Sequence, residues 1–258
     1  MTRLPLLLLF LASPALAQGA AETRARYEAC VALARAEPAR AEAEAAAVAR
    51  AGGGVPAQHC RALAQLSAGR PAEAAATLAE AARAADAGKS PFAADLWAQA
   101  GNAAFLAGDN PGALAHLDRA IAAAGPHSPR RTAGFHIDRA RVAADLGELA
   151  RARADLDQAI RLSPDDPAAW MLSAALARRQ GDLGRAAADM ERATARAGDD
   201  PDVLFEAGNV AAAGGDMENA RKLWAMAARA GPGSEAARLA GEALKQARDA
   251  GAEGARTP

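Results

Sequence analysis

Aromatic residues are scarce in this 258-residue sequence: three Trp, one Tyr and five Phe, or 3% of the chain. β-Branched residues are also few, which leaves little material for strands. There is no surplus of either charge, with 30 basic against 31 acidic side chains. That balance excludes a nucleic-acid binder, which needs a concentrated basic surface to release counterions. After the first dozen residues no apolar run approaches the roughly 20 residues a membrane span requires. What is abundant is alanine, 81 residues. With 51% of residues apolar the chain is too hydrophobic for disorder, and alanine is the strongest helix former. An all-α protein is the expectation.

The opening segment is read as an address. Arg3 precedes an apolar stretch from Leu4 to Ala12, then Pro14 and the small-x-small triplet Ala15-Leu16-Ala17. Charged, apolar and small-residue regions in that order predict a secretory signal peptide over 1–17, cleaved after Ala17. No cysteine follows the cut to indicate a lipoprotein. The remaining chain, with 29 basic and 31 acidic groups, is expected in the periplasm without stable membrane insertion.

Beyond the leader the sequence repeats. Glycines stand at Gly69, Gly108, Gly147, Gly181 and Gly215, spaced 39, 39, 34 and 34 residues apart, and an acid follows each of the last four. Five residues after each glycine comes Ala74, Ala113, Ala152, Ala186 or Ala220. Seven further on comes Ala81, Ala120, Ala159, Ala193 or Ala227. In an alanine-rich chain one such match means little, but a register held through five units is a repeat. Segments of about 14 residues with helical apolar spacing flank each glycine. Each unit is therefore a helical hairpin whose narrow apolar face can be buried only against its neighbours. Small residues at Gly101, Ala140, Ala174 and Gly208 let helices approach, while Trp97, Leu117, Leu156, Trp170, Met190, Leu204 and Trp224 supply bulk.

These residues resemble the tetratricopeptide repeat family, whose unit of about 34 residues follows a W-x2-L-G-x2-Y, A-x3-F, A, P pattern. Trp97, Gly101, Gly108, Ala113, Leu117 and Ala120 carry the match in 94–127. Ala140, Gly147, Ala152, Leu156, Ala159 and Pro164 carry it in 133–166, and Trp170, Ala174, Gly181, Ala186, Met190 and Ala193 in 167–200. In 201–234 the match rests on Leu204, Gly208, Gly215, Ala220, Trp224, Ala227 and Pro232. The unit 55–88 is looser. The family's tyrosine is replaced throughout, by Gln65, Ala104, Ala143, Ala177 and Ala211. The resemblance implies an all-α, right-handed α-solenoid of stacked helix-turn-helix hairpins. A degenerate N-terminal hairpin would occupy 18–54, a capping helix 235–250 and a disordered tail 251–258. Two five-residue insertions, 89–93 and 128–132, each hold a Ser-Pro pair read as a turn that delays the next helix.

In this register Cys30 and Cys60, the only cysteines, fall in the first helices of neighbouring units, so a disulfide is expected. Closing that loop is worth about 3–4 kcal/mol by the chain-entropy account. Activation of Cys60 by His59 is disfavoured, because adjacent helical residues point apart.

Little suggests chemistry. His59, His116, His127 and His136 have no zinc-site spacing. The pairs Asp165-Asp166 and Asp199-Asp200 precede helices beginning near Pro167 and Pro201, where acids cap helix N-termini. No phosphate loop or nucleophile elbow is present. We expect no enzyme, no cofactor and no metal.

The resemblance implies instead a concave groove lined by the first helices, onto which Asp95, Asn102, Phe105, Ile137, Asp138, Arg141, Met171, Ala175, Arg178, Phe205, Glu206 and Asn209 would project. This mixture suits an extended peptide or partner helix. Family members that clamp a C-terminal carboxylate use Lys and Asn, then Asn, then Lys and Arg. Asn102 keeps one place here, but Ala98, Asp138, Ala168 and Leu172 occupy the others, which argues against chaperone-tail recognition. The functional expectation is a periplasmic scaffold that binds an unidentified protein or peptide through the groove or an edge. The alternative is a structural or assembly factor of an envelope complex acting through self-association.

Overall fold

The computed structural model describes residues 14–125 and 128–254. The expected leader up to residue 13, His127 and the tail residues 255–258 lie outside them. Thirteen helices and no strands occur among the described residues. The chain divides into two compact units, one ending at Asp109 and the other beginning at Asn110. Each is built from paired helices of the solenoid class.

The N-terminal unit holds α1 (Pro14–Ala36), α2 (Pro38–Arg50), α3 (Gly54–Ser67), α4 (Pro71–Ala87) and α5 (Ala93–Leu106). Within it α1 packs on α2 and α3, and each later helix packs on its predecessor. The C-terminal unit holds α6 (Asn110–Ala123), α7 (Pro129–Asp145), α8 (Leu149–Leu162), α9 (Pro167–Arg179) and α10 (Leu183–Ala197). Its last three helices are α11 (Pro201–Ala213), α12 (Met217–Ala230) and α13 (Glu235–Gly254). In this unit first helices also meet their counterparts in the next repeat, α7 with α9 and α9 with α11. The final helix runs four residues beyond the expected end at 250.

The repeat register has a direct physical basis. All five turn glycines have positive φ, between +72° and +87°. A Cβ at any of them would meet nothing within 4 Å. Backbone conformation, not crowding, therefore selects glycine there. The ten alanines at the two fixed offsets are all 0% exposed, because each sits where two helices touch. Gly208 marks a closer approach still, since a Cβ there would stand 2.4 Å from the Trp224 ring. Clusters join successive helices. Ala174, Ala186, Met190, Val203 and Val210 tie α9, α10 and α11, and Leu204, Trp224 and Ala240 tie α11, α12 and α13. Trp170 departs from its expected role as core bulk. It is only partly buried, its Nε1 donates to the Pro164 carbonyl at 2.8 Å and Arg196 lies over its ring at 6.0 Å.

The acid pairs act as expected. Asp166 accepts from the Ala168 amide, and Asp200 accepts from the Asp202 and Val203 amides. The second insertion behaves differently. Ser128-Pro129 starts α7 at once, so 130–132 are helical. Proline lacks the amide that a first helical residue leaves unpaired anyway, and its fixed φ suits that position.

Cys30 and Cys60 form the expected disulfide, Cα–Cα 6.1 Å, joining α1 to α3. His59 is turned to other partners. Its Nε2 is 2.7 Å from Gln99 Oε1, so Nδ1 accepts from the Tyr27 hydroxyl, also at 2.7 Å.

Candidate interaction surface

Within the C-terminal unit α7, α9 and α11 lie side by side and present one face made of corresponding positions. Counting back from each turn glycine, the tenth residue is Ile137, Met171 or Phe205, and the sixth is Arg141, Ala175 or Asn209. Met171, Ala175, Phe205 and Asn209 are partly exposed, and Arg141 is exposed, 3.7 Å from Asp138 one turn earlier. Ile137 corrects the expectation. It is 5% exposed, in a cluster with Ala133, Ala159 and Ala169. Small side chains around it let the next repeat close over the longer one.

Glu206 is likewise buried, because Arg178 on α9 reaches across to it at 2.8 Å. Asn209 Nδ2 donates to the same carboxylate at 3.0 Å and its Oδ1 accepts from Trp224 Nε1 at 3.0 Å. Three of the expected groove residues thus form a chain anchored in the core. The Arg178 guanidinium is held in one orientation at the edge of the apolar Met171 and Phe205 surface. In the N-terminal unit Asp95, Asn102 and Phe105 all lie on α5, with Asn102 exposed and the other two partly buried.

The sequence reading missed a second set of residues, on the side where α6, α8 and α10 lie. Asp155, 3% exposed, accepts from His136 Nδ1 at 2.8 Å and from Arg139 Nε at 2.8 Å and Nη2 at 2.5 Å. Arg139 also donates to Asp118 at 2.6 Å, to which Arg151 donates at 3.0 Å. One repeat on the pattern recurs. Asp189 accepts from Ser173 Oγ at 2.5 Å and Arg185 Nε at 3.2 Å, and Arg185 donates to Asp157 at 2.5 Å. Arg153 donates to Ser173 Oγ at 2.6 Å.

A sequence signal for this ladder exists. An arginine stands four residues after Gly147 and Gly181, and an aspartate ten after Gly108 and Gly147. Burial by itself would raise the Asp155 carboxyl, but the His136 and Arg139 hydrogen bonds and charges outweigh it and hold it below its ordinary value. Asp155 chiefly raises Arg139 in return, whereas burial and the neighbouring Arg185 lower Arg153. These charges hold successive hairpins in register.

Among the described residues no group of three or more His, Cys, Asp or Glu is placed to hold a metal ion. Within them, too, no helix is long and apolar enough to cross a membrane.

Comparison with known proteins adds three findings. The tetratricopeptide repeat family matches residues 61–129, 137–201 and 174–235, together well over half of the chain. No curated protein matches it. Solved structures share the fold at low identity. PilW, described as a widely conserved type IV pilus biogenesis factor, is 19% identical over 84% of this chain and 97% of its own, with a TM-score of 0.65. PilF from Pseudomonas aeruginosa is 16% identical over 86% and 97%, TM-score 0.63. YrrB, described as having an unusual peptide-binding site, is 18% identical over 76% and 96%, TM-score 0.50.

Proposed function

Because the chain belongs to the tetratricopeptide repeat family, we propose that it is a non-enzymatic protein-interaction module working in the assembly of a multi-protein complex of the bacterial envelope. The observation that carries this reading is the division of labour among side chains in the C-terminal unit. One set of charges is consumed in holding hairpins together, while the α7/α9/α11 face leaves Arg141, Met171, Phe205 and the fixed guanidinium of Arg178 accessible to another protein. Such a mixture of apolar anchors and arginine is what interface cores favour. Fold likeness to a pilus biogenesis factor supports an assembly role over a general scaffold. The leader-like residues 1–17 and the Cys30–Cys60 disulfide support the periplasm as the site of action.

A second reading, capture of one extended peptide along the same face, is favoured by the likeness to YrrB. Light scattering across a concentration series separates the two. A mass that rises with concentration supports assembly through self-association, and a constant monomer overturns that route. Crosslinking in the native envelope then identifies a partner. The Arg141→Glu, Phe205→Ala double variant is expected to weaken the crosslink while leaving helicity intact. An unchanged crosslink places the interface on another face.

A further inference from the structure

A disulfide that serves only as a staple is normally packed away from solvent, where no thiol can reach it. The Cys30–Cys60 bond is placed otherwise. Both cysteines line a cavity of about 570 Å³ between α1, α2 and the start of α3. The two ends of the bond differ, since Cys30 on α1 is partly exposed and Cys60 on α3 is 1% exposed. An entering thiolate is therefore offered the Cys30 sulfur, with Cys60 as the leaving group.

The helix that this bond holds has little else to hold it. Over residues 22–36 of α1 only Ala34 is buried, packed with Ala41 and Ala64. The ion pairs Arg24–Glu28 and Arg26–Glu22 stay within the helix and anchor it to nothing. Tyr27 adds one hydroxyl bond to His59, at 2.7 Å. Such sparse burial puts α1 at the low-stability end of the fold, where local release needs no global unfolding. We propose that the Cys30–Cys60 bond is a redox latch, which a dithiol reductant opens at Cys30 through the cavity so that α1 leaves α3. Attack on the Cys30 sulfur forms a mixed disulfide and expels the Cys60 sulfur, which takes up a proton. The second thiol of the reductant then attacks its own sulfur in that mixed disulfide and frees Cys30. Two electrons and two protons pass from the dithiol to the cysteine pair, and the reductant ends as a disulfide. The departure of α1 uncovers Ala45 on α2 and Ala57 and Cys60 on α3. The latch is independent of the α7/α9/α11 face.

The test is reduction of the oxidised full chain by dithiothreitol, with free thiols counted over time in increasing urea. Reduction should proceed without urea, at a rate that stays level until the chain begins to unfold. A rate that climbs with urea from the outset overturns the proposal, because the bond then opens only as structure is lost. Ala29→Trp, at an exposed position lining the cavity, should obstruct entry and slow reduction roughly ten-fold. An unchanged rate removes the cavity as the route. In the reduced wild type, amide exchange should quicken along α1 while α9–α12 keep their protection, and unchanged exchange in α1 overturns the latch without recourse to any variant. In folded Cys30→Ser, iodoacetamide should alkylate Cys60 with helicity retained. A Cys60 that stays protected there shows that α1 keeps its place without the bond, and that result also overturns the proposal.

Discussion

The N-terminal unit and the last five helices of the C-terminal unit start and hold their helices by different means. In the C-terminal unit α9, α10, α11 and α12 are each capped by an aspartate side chain, Asp166, Asp182, Asp200 and Asp216, and Ser234 caps α13 at 3.1 Å. In the N-terminal unit the residues before α2, α3, α4 and α5 are Glu37, Gly53, Arg70 and Phe92, and none of these side chains caps its helix. Long-range ties take over there. The disulfide joins α1 to α3, and Glu42 on α2 accepts from Gln65 on α3 at 3.0 Å and from Arg70 just before α4. The Arg70 hydrogen bond chiefly holds the Glu42 carboxyl below its ordinary value. Where each hairpin states its own boundaries, stacking and a repeating ladder of charges hold it to the next. Where local signals are weak, covalent and buried polar links between helices supply what the turns do not.

The contrast can be broken from either side. Trp224→Ala removes the largest side chain from the α11–α13 cluster and should cost about 3–5 kcal/mol. Hydrogen exchange should show the loss in the C-terminal unit. Replacing Cys30 and Cys60 by serine should cost about 3–4 kcal/mol. The faster exchange should be confined to α1–α3, and denaturation of the wild type with and without reductant should reproduce it. Equal loosening of α9–α12 would refute the division drawn here.

Asp155→Asn should cost roughly 1.5–3 kcal/mol at neutral pH, the range for hydrogen bonds to a charged group. Because the folded carboxyl lies below its unfolded value, its contribution is complete above the unfolded value near ~3.9 and fades as pH falls through the folded one. The variant should therefore lose less stability than wild type on acidification below about pH 4, measured by urea denaturation across pH. The smallest effect is expected at a cap. Asp200→Ala should cost ~1 kcal/mol, read as fraying at the start of α11, with no counterpart when the exposed Phe92 before α5 is changed to Ala.

Much of the architecture was legible because each repeated feature answers a local requirement. The turn glycines take φ values that other residues resist, the paired alanines occupy helix contacts, and the acids before Pro167 and Pro201 meet unpaired amides. The face on α7, α9 and α11 was legible only in outline. Position in the repeat placed Met171, Arg178 and Phe205 there. It could not show that Ile137 is covered by the neighbouring repeat, or that Glu206 is claimed by an arginine 28 residues earlier. The Asp118–Arg151 and Asp157–Arg185 links escaped notice because charged residues on helices usually mark solvated faces. Only their recurrence relative to the turn glycines distinguishes them.

The sequence by itself determined that the chain is helical, where its hairpins turn and which small residues meet at contacts, because backbone propensity, caps and periodicity act over a few residues. Only the tertiary structure decided which charges pair across helices, which expected groove residues are already spent and where a cavity remains beside the disulfide. Those outcomes depend on distances between residues far apart in the chain, and no local preference encodes them.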